Sequence, residues 1–162
     1  MSSPRRRARE LALQGLYQWQ FTGGTPAAVL RDLAELEGYD EADRAFLKSE
    51  LSGAMKHAEE NRAALEPLAD RKWEEVSPVE RAILLLGAWE LGRCPEIPYR
   101  VAINEAIELA KRFGGTDGHK YVNGILDRFA ARARAEEIAA GSAPAGKPRP
   151  GGARRATRKT PA

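Results

Sequence analysis

The residues best suited to chemistry stand at two places in the 162-residue chain. Arg5, Arg6, Arg7 and Arg9 crowd the start, and Asp117, His119, Lys120, Tyr121 and Asn123 follow a pair of glycines near position 115. Guanidinium groups form paired, charge-assisted bonds to phosphate and stack on planar rings. Arginines next to Tyr17 and Gln20 on a helix therefore have the right types to grip a nucleic-acid backbone and stack a base. At about 100° per residue, Arg6, Arg9, Leu13, Tyr17 and Gln20 share one helical face. The plain alternative is that Leu13 and Tyr17 pack on other helices while the arginines solubilise.

No assembled catalytic set is visible. Gly114, Gly115 and Gly118 do not make a phosphate or dinucleotide loop, and turn chemistry explains them. His57 and His119 lack a partner at metal-ligand spacing. His119 near Asp117 and Lys120 has the types for acid–base work, though a polar helix start accounts for them more simply. Arg93 beside Cys94 would favour a thiolate, against the simpler reading of a packed thiol. No metal, cofactor or catalytic residue is expected, and the chain reads as a non-enzyme.

Charge distribution agrees with a polyanion partner. Residues 1–9 carry +4 and residues 141–162 carry +6, so the stretch between carries −7 against a whole-chain +3. Such asymmetry suits a protein that meets nucleic acid with chosen surfaces, while a soluble body with charged ends is the plainer account. The single cysteine excludes a disulfide framework within the chain. No apolar run is long enough to span a bilayer and no secretory apolar stretch follows the basic start, so a cytoplasmic protein is expected.

These groups must be positioned by helices. Ala8, Leu11, Ala12, Gly15, Leu16 and Trp19 make an inward stripe on a helix from Pro4 to Phe21. Thr22–Pro26 breaks it, and Ala27–Glu37 forms a second helix. Asp40 is expected to cap a third, from Glu41 to about His57, and a further helix covers Asn61 to Leu68. Ser77-Pro-Val-Glu80 is a capping box, and the apolar run Ala82–Trp89 behind it marks the most buried helix. Pro98 leads into a helix ending at Phe113, where Gly114 and Gly115 supply the C-cap. Asp117 caps the last helix. Residues 141–162 hold no large apolar side chain and are expected to be disordered, a basic tail outside a 1–140 domain.

Four segments carry a family signature. Arg5-Arg-Arg-Ala-Arg-Glu-Leu-Ala-Leu-Gln-Gly-Leu-Tyr-Gln-Trp-Gln20 resembles the first helix of the NusB family of transcription antitermination factors. Ser77-Pro-Val-Glu-Arg-Ala-Ile-Leu resembles its central helix. Ile97-Pro-Tyr-Arg-Val-Ala-Ile-Asn-Glu-Ala-Ile-Glu-Leu-Ala-Lys-Arg-Phe-Gly114 and Asp117-Gly-His-Lys-Tyr-Val-Asn-Gly-Ile-Leu-Asp127 are similar to its two C-terminal motifs. The resemblance implies an all-α fold of about seven helices in two small bundles. It implies binding of boxA-type single-stranded RNA in nascent ribosomal RNA, with ribosomal protein S10 as partner. It further implies that other Nus factors and RNA polymerase complete the assembly, which suppresses premature termination.

Carried over by position, Arg5, Arg6, Arg7, Arg9, Tyr17, Gln20, Asp117, His119, Lys120, Tyr121 and Asn123 would contact RNA. Glu80 and Arg81 would lie near the protein partner, and capping plus solvation is their alternative role. Relatives often have phenylalanine at Tyr121 and serine at Gly118. Three other readings remain open: a fragment of a fused RNA cytosine methyltransferase, a purely protein-binding scaffold, and a nonspecific RNA binder using mainly the tail.

Overall fold

The computed structural model describes residues 3–141, so the basic tail expected at 141–162 lies outside the described residues apart from Gly141. Eight α-helices, joined in places by 3-10 turns, make up the described chain: α1 (Pro4–Thr22), α2 (Pro26–Leu33), α3 (Arg44–Lys56), α4 (Ala58–Leu65), α5 (Pro78–Arg93), α6 (Tyr99–Phe113), α7 (Gly118–Ala133) and α8 (Ala135–Gly141). The all-α expectation holds. The additional helix beyond about seven is the short α8, for which the sequence has no apolar stripe of its own.

Side-chain caps open four of the eight α-helices. Ser3 Oγ accepts from the Arg6 N–H at 3.1 Å, Thr25 Oγ1 from Ala28 N–H at 3.1 Å, and Ser77 Oγ from Glu80 N–H at 3.1 Å. Each of these three caps precedes a proline in the first turn, where no backbone donor is lost. Two expected caps are corrected. Asp43, not Asp40, opens α3 through its bond to Phe46 N–H at 3.0 Å, because residues 39–41 are already wound into a 3-10 turn. The Glu80 side chain does not close a capping box. It lies instead against Gly118, where a Cβ would run into its carboxylate.

α5 is the centre. Every residue from Ala82 to Ala88 is buried, and α1, α3, α4, α6 and α7 all pack on this helix. Each fully buried leucine there contributes about 1.5–3 kcal/mol of transfer free energy. Two glycines allow the closest approaches. A Cβ on Gly53 would enter the Trp89 ring, and one on Gly87 would meet Leu126 at 2.7 Å.

Both ends of α5 are tied by polar side chains. At its start, Gln20 donates to the Pro78 carbonyl at 2.8 Å. At its end, the buried Arg134 guanidinium donates to the carbonyls of Glu90, Leu91, Cys94 and Ile97 at 2.8–3.0 Å. Those carbonyls include ones left open where α5 stops. Cys94 is buried beside them, and burial pushes its thiol up to about 12. Arg93 is engaged with Glu60, so the thiolate reading of Cys94 is overturned.

Candidate nucleic-acid interface

The four arginines at the start of α1 have four different environments. Arg5 is exposed, and its guanidinium carbon sits 4.3 Å from the centre of the Phe46 ring. Arg6 is exposed and forms a two-bond pair with Glu105 of α6 at 3.1 and 2.8 Å, which raises its pKa further. Arg7 is half-buried and bonds Glu10 at 3.1 Å.

Arg9 is only 5% exposed. It donates twice to Glu90 of α5, at 2.8 and 3.0 Å, and lies 3.7 Å from Glu105. Behind Glu90 is Glu50 of α3, fully buried, with neither carboxylate oxygen accepting a bond from any described donor. Burial first, and the neighbouring Glu90 second, push the Glu50 carboxyl well up. Both causes hold the Glu50 carboxyl toward its protonated form. Arg9 is therefore a structural cation of this cluster. On the face where an RNA contact is expected, its guanidinium is enclosed by Glu90 of α5, Glu105 of α6 and the Phe46 ring of α3.

Tyr17 and Gln20 do not join the arginines. Twelve residues separate Arg5 from Tyr17, about 18 Å of helical rise. Tyr17 is 42% exposed and meets Phe21 edge-on with ring centres 5.2 Å apart. The Gln20 amide nitrogen donates to the carbonyls of Pro78 and Leu16, which ties α1 to the start of α5.

The second group gathers at the opening of α7. Asp117 occupies the cap position with φ 64°, in the left-handed region, and its side chain makes no cap bond. The expected side-chain cap is corrected: the carboxylate pairs with Lys120 at 3.4 Å, both groups being exposed. Aspartate tolerates this backbone region better than most residues. Gly114 ends α6 in extended rather than left-handed backbone. His119, Tyr121 and Asn123 are half-buried. Tyr121 packs on the core, and burial pushes its phenol up. Glu80 is buried and Arg81 is half-buried, its Nε donating to the Val76 carbonyl at 2.8 Å.

α6 connects the two groups. Glu105, which holds Arg6, lies eight residues before Phe113, about 12 Å along the helix. The chain then turns into Asp117. Arg112, exposed in the last turn of α6, pairs with Glu10, which also holds Arg7. Arg71 lies over the Tyr121 ring. Sequence reasoning assigned neither arginine a role. The basic pair before Gly114 is a signal for Arg112, whereas nothing near Arg71 marks it. Among the described residues no group of three or more metal-ligating side chains forms, and no helix is long and apolar enough to cross a membrane.

Comparison with known proteins matches this architecture to one family. The NusB family model matches residues 6–131. The transcription antitermination protein NusB of Ralstonia nicotianae is 54% identical over 138 residues, covering 85% of this chain and 89% of that protein. The Thiobacillus denitrificans protein of the same description is 49% identical, covering 85% of this chain and 95% of its own length. Among solved structures, T. maritima NusB superimposes with a TM-score of 0.74 at 30% identity, covering 86% of this chain and 99% of that one. A structure described as antitermination factors NusB and NusE in complex with dsRNA matches with a TM-score of 0.69 at 25% identity, covering 80% of this chain and 98% of that one. The chain belongs to the NusB family, whose members are RNA-binding regulators and not enzymes.

Proposed function

We propose that this chain binds boxA-type single-stranded RNA of nascent ribosomal RNA transcripts together with ribosomal protein S10. With other Nus factors it then helps RNA polymerase suppress premature termination in the cytoplasm. The observation that carries the reading is the surface formed by Arg5, Arg6 and Arg7, continued by Arg112 toward Asp117, His119, Lys120, Tyr121 and Asn123. Arg7 and Arg112 share Glu10, which brings cations of α1 and of the end of α6 together as a phosphate-binding surface requires. The solved complex of a related NusB with NusE and dsRNA supports the pairing of RNA with a second protein, though not the single-stranded form.

Tyr17 contributes from the far end of α1. Arg81 and the buried Glu80 shape the face for the protein partner. The helices divide functionally into two small bundles, with α1 to α3 carrying the arginines and α5 to α7 carrying the second contact. The basic tail adds nonspecific, salt-sensitive attraction.

The test is binding of boxA RNA and a base-scrambled RNA at matched salt, with and without S10. It compares wild type, a variant with Arg5, Arg6 and Arg7 changed to alanine, and a variant lacking 141–162. Preference for boxA that grows with S10, survives tail removal and collapses in the arginine variant is expected. Equal binding of both RNAs, lost mainly with the tail, overturns specific recognition.

A further inference from the structure

Tyr121 has the residue type to stack a base, yet its ring is not free to do so. The residue is half-buried, packs on the core and has its hydroxyl enclosed with no described hydrogen-bond partner. The guanidinium carbon of Arg71 stands 4.1 Å from the ring centre and covers it. Arg71 lies in the segment between α4 and α5, which is held by Arg128 of α7 donating to the Leu68 carbonyl at 3.3 Å, by Trp73 N–H donating to Glu66 at 3.0 Å and by Arg62 of α4 donating to Glu74 at 2.9 Å. Arg71 Nε itself donates to the neighbouring Asp70 at 3.2 Å. The Arg71 side chain remains 42% exposed. Its terminal nitrogens carry no hydrogen bond to any described residue. A guanidinium stacked on an aromatic ring keeps its outer face and its edge donors available.

We infer that Arg71 is the surface that receives an RNA base at the opening of α7, with Tyr121 as the positioning residue beneath it. The guanidinium plane takes the base on its outer face. Its two terminal nitrogens point along the edge, where a phosphate or a base acceptor completes the contact. Stacking on a cationic plane tolerates any base, so this contact adds affinity and geometry rather than sequence choice. The inference rests on the RNA reading above and names a residue that reading lacks.

Two accounts of this corner give opposite signs. If the Tyr121 ring took the base directly, removing Arg71 would uncover it and leave binding unchanged or tighter. If Arg71 is the stacking surface, removing it weakens binding. The experiment measures affinity of the full chain with S10 for a labelled boxA RNA at one salt concentration, with scrambled RNA alongside. The variants are Arg71→Ala, Arg71→Lys, Lys72→Ala, Tyr121→Leu and the double Arg71→Ala/Tyr121→Leu, each checked by thermal unfolding.

Arg71→Ala and Arg71→Lys are both expected to weaken boxA binding about tenfold, the size of one lost stack. Lys72→Ala, which removes the same charge one residue away, should cost about twofold or less. Tyr121→Leu should cost severalfold alone and nothing further in the Arg71→Ala background. Unchanged or tighter binding in Arg71→Ala overturns the inference, as does full activity in Arg71→Lys. Either result leaves the RNA reading intact provided wild type prefers boxA. Absence of that preference in wild type removes both. The exposed Arg71 variants carry the test even where Tyr121→Leu fails to fold.

Discussion

The start of α1 and the start of α7 offer cations to solvent under different terms. In the first region Arg6, Arg7 and Arg9 each hold a carboxylate, from Glu105, Glu10 and Glu90, and Arg5 rests on a ring. In the second, Lys120 holds Asp117 in the open, and Arg71 leans on Tyr121, its Nε on the exposed Asp70 and its terminal nitrogens unspent. Phosphate binding at α1 is thus an exchange of one anion for another, graded by burial: free for Arg5, competitive for Arg6 and Arg7, closed for Arg9. At α7 the same exchange meets less competition, because the carboxylates of Asp117 and Asp70 are exposed whereas Glu105 and Glu10 are largely buried. A count of arginines therefore overstates the charge that α1 can give to a ligand.

The largest effect that tests this contrast is Arg9→Ala. It leaves Glu90 buried, unpaired and facing Glu50, a class of change that costs about 3–5 kcal/mol. Urea unfolding should show this loss, while Arg5→Ala stays within about 0.5 kcal/mol of wild type. Equal, small effects for both would return Arg9 to the surface set.

Glu50 gives the next effect, and it depends on pH. Its carboxyl is raised in the folded protein, so the folded state holds a proton that the unfolded state releases above its ordinary carboxylate range. Stability is whole at acid pH and falls as pH rises toward the folded pKa, by up to about 1.4 kcal/mol per pH unit. Glu50→Gln keeps the shape and can still donate to Glu90. Its stability should exceed that of wild type near neutrality and decline less with rising pH across that window. Parallel profiles for the two proteins would mean that Glu50 is ionised beside Glu90.

These buried groups mark the limit of what the sequence shows. The cap at Ser77 and the central burial of Ala82–Ala88 are legible because they depend on neighbours within a few residues. Helical periodicity also finds the α1 stripe of Ala8, Leu11, Ala12, Gly15, Leu16 and Trp19, all buried but the half-buried Trp19. It does not show that a second side of α1, with Arg9 and Leu13, is covered as well. The partner that decides this for Arg9 is 81 positions away. The tie made by Gln20 is hidden for the same reason, its acceptor lying 58 residues on. Arg134 has no local cue at all, since its four acceptors are carbonyls, whose positions depend on how α5 ends.

A smaller effect addresses exchange at α1 directly. Glu105→Gln removes the anion that competes for Arg6, while Arg9 keeps Glu90. BoxA RNA should bind about threefold tighter to this variant at low salt, and the gain should shrink as salt rises. Weaker binding would show that Glu105 orients Arg6 for RNA rather than competing with it.

The smallest effect lies at α7 and depends on a single missing Cβ. Gly118 faces Glu80, and an added methyl would meet the carboxylate, the far end of a side chain that can swing away. The carboxylate gains from its place at the N-terminal end of α7, where helical N–H groups point outward. Displacing it costs this interaction, while alanine gains helix propensity of up to about 1 kcal/mol over glycine. The two nearly cancel, so Gly118→Ala should cost only about 0.5 kcal/mol in otherwise unchanged protein. In a Glu80→Ala background nothing is left to displace, and the same substitution should become stabilising by about 0.5 kcal/mol. A sign that does not reverse would mean that Glu80 and the opening of α7 are independent. The start of α7 would then be open in a stronger sense than its contrast with α1 requires.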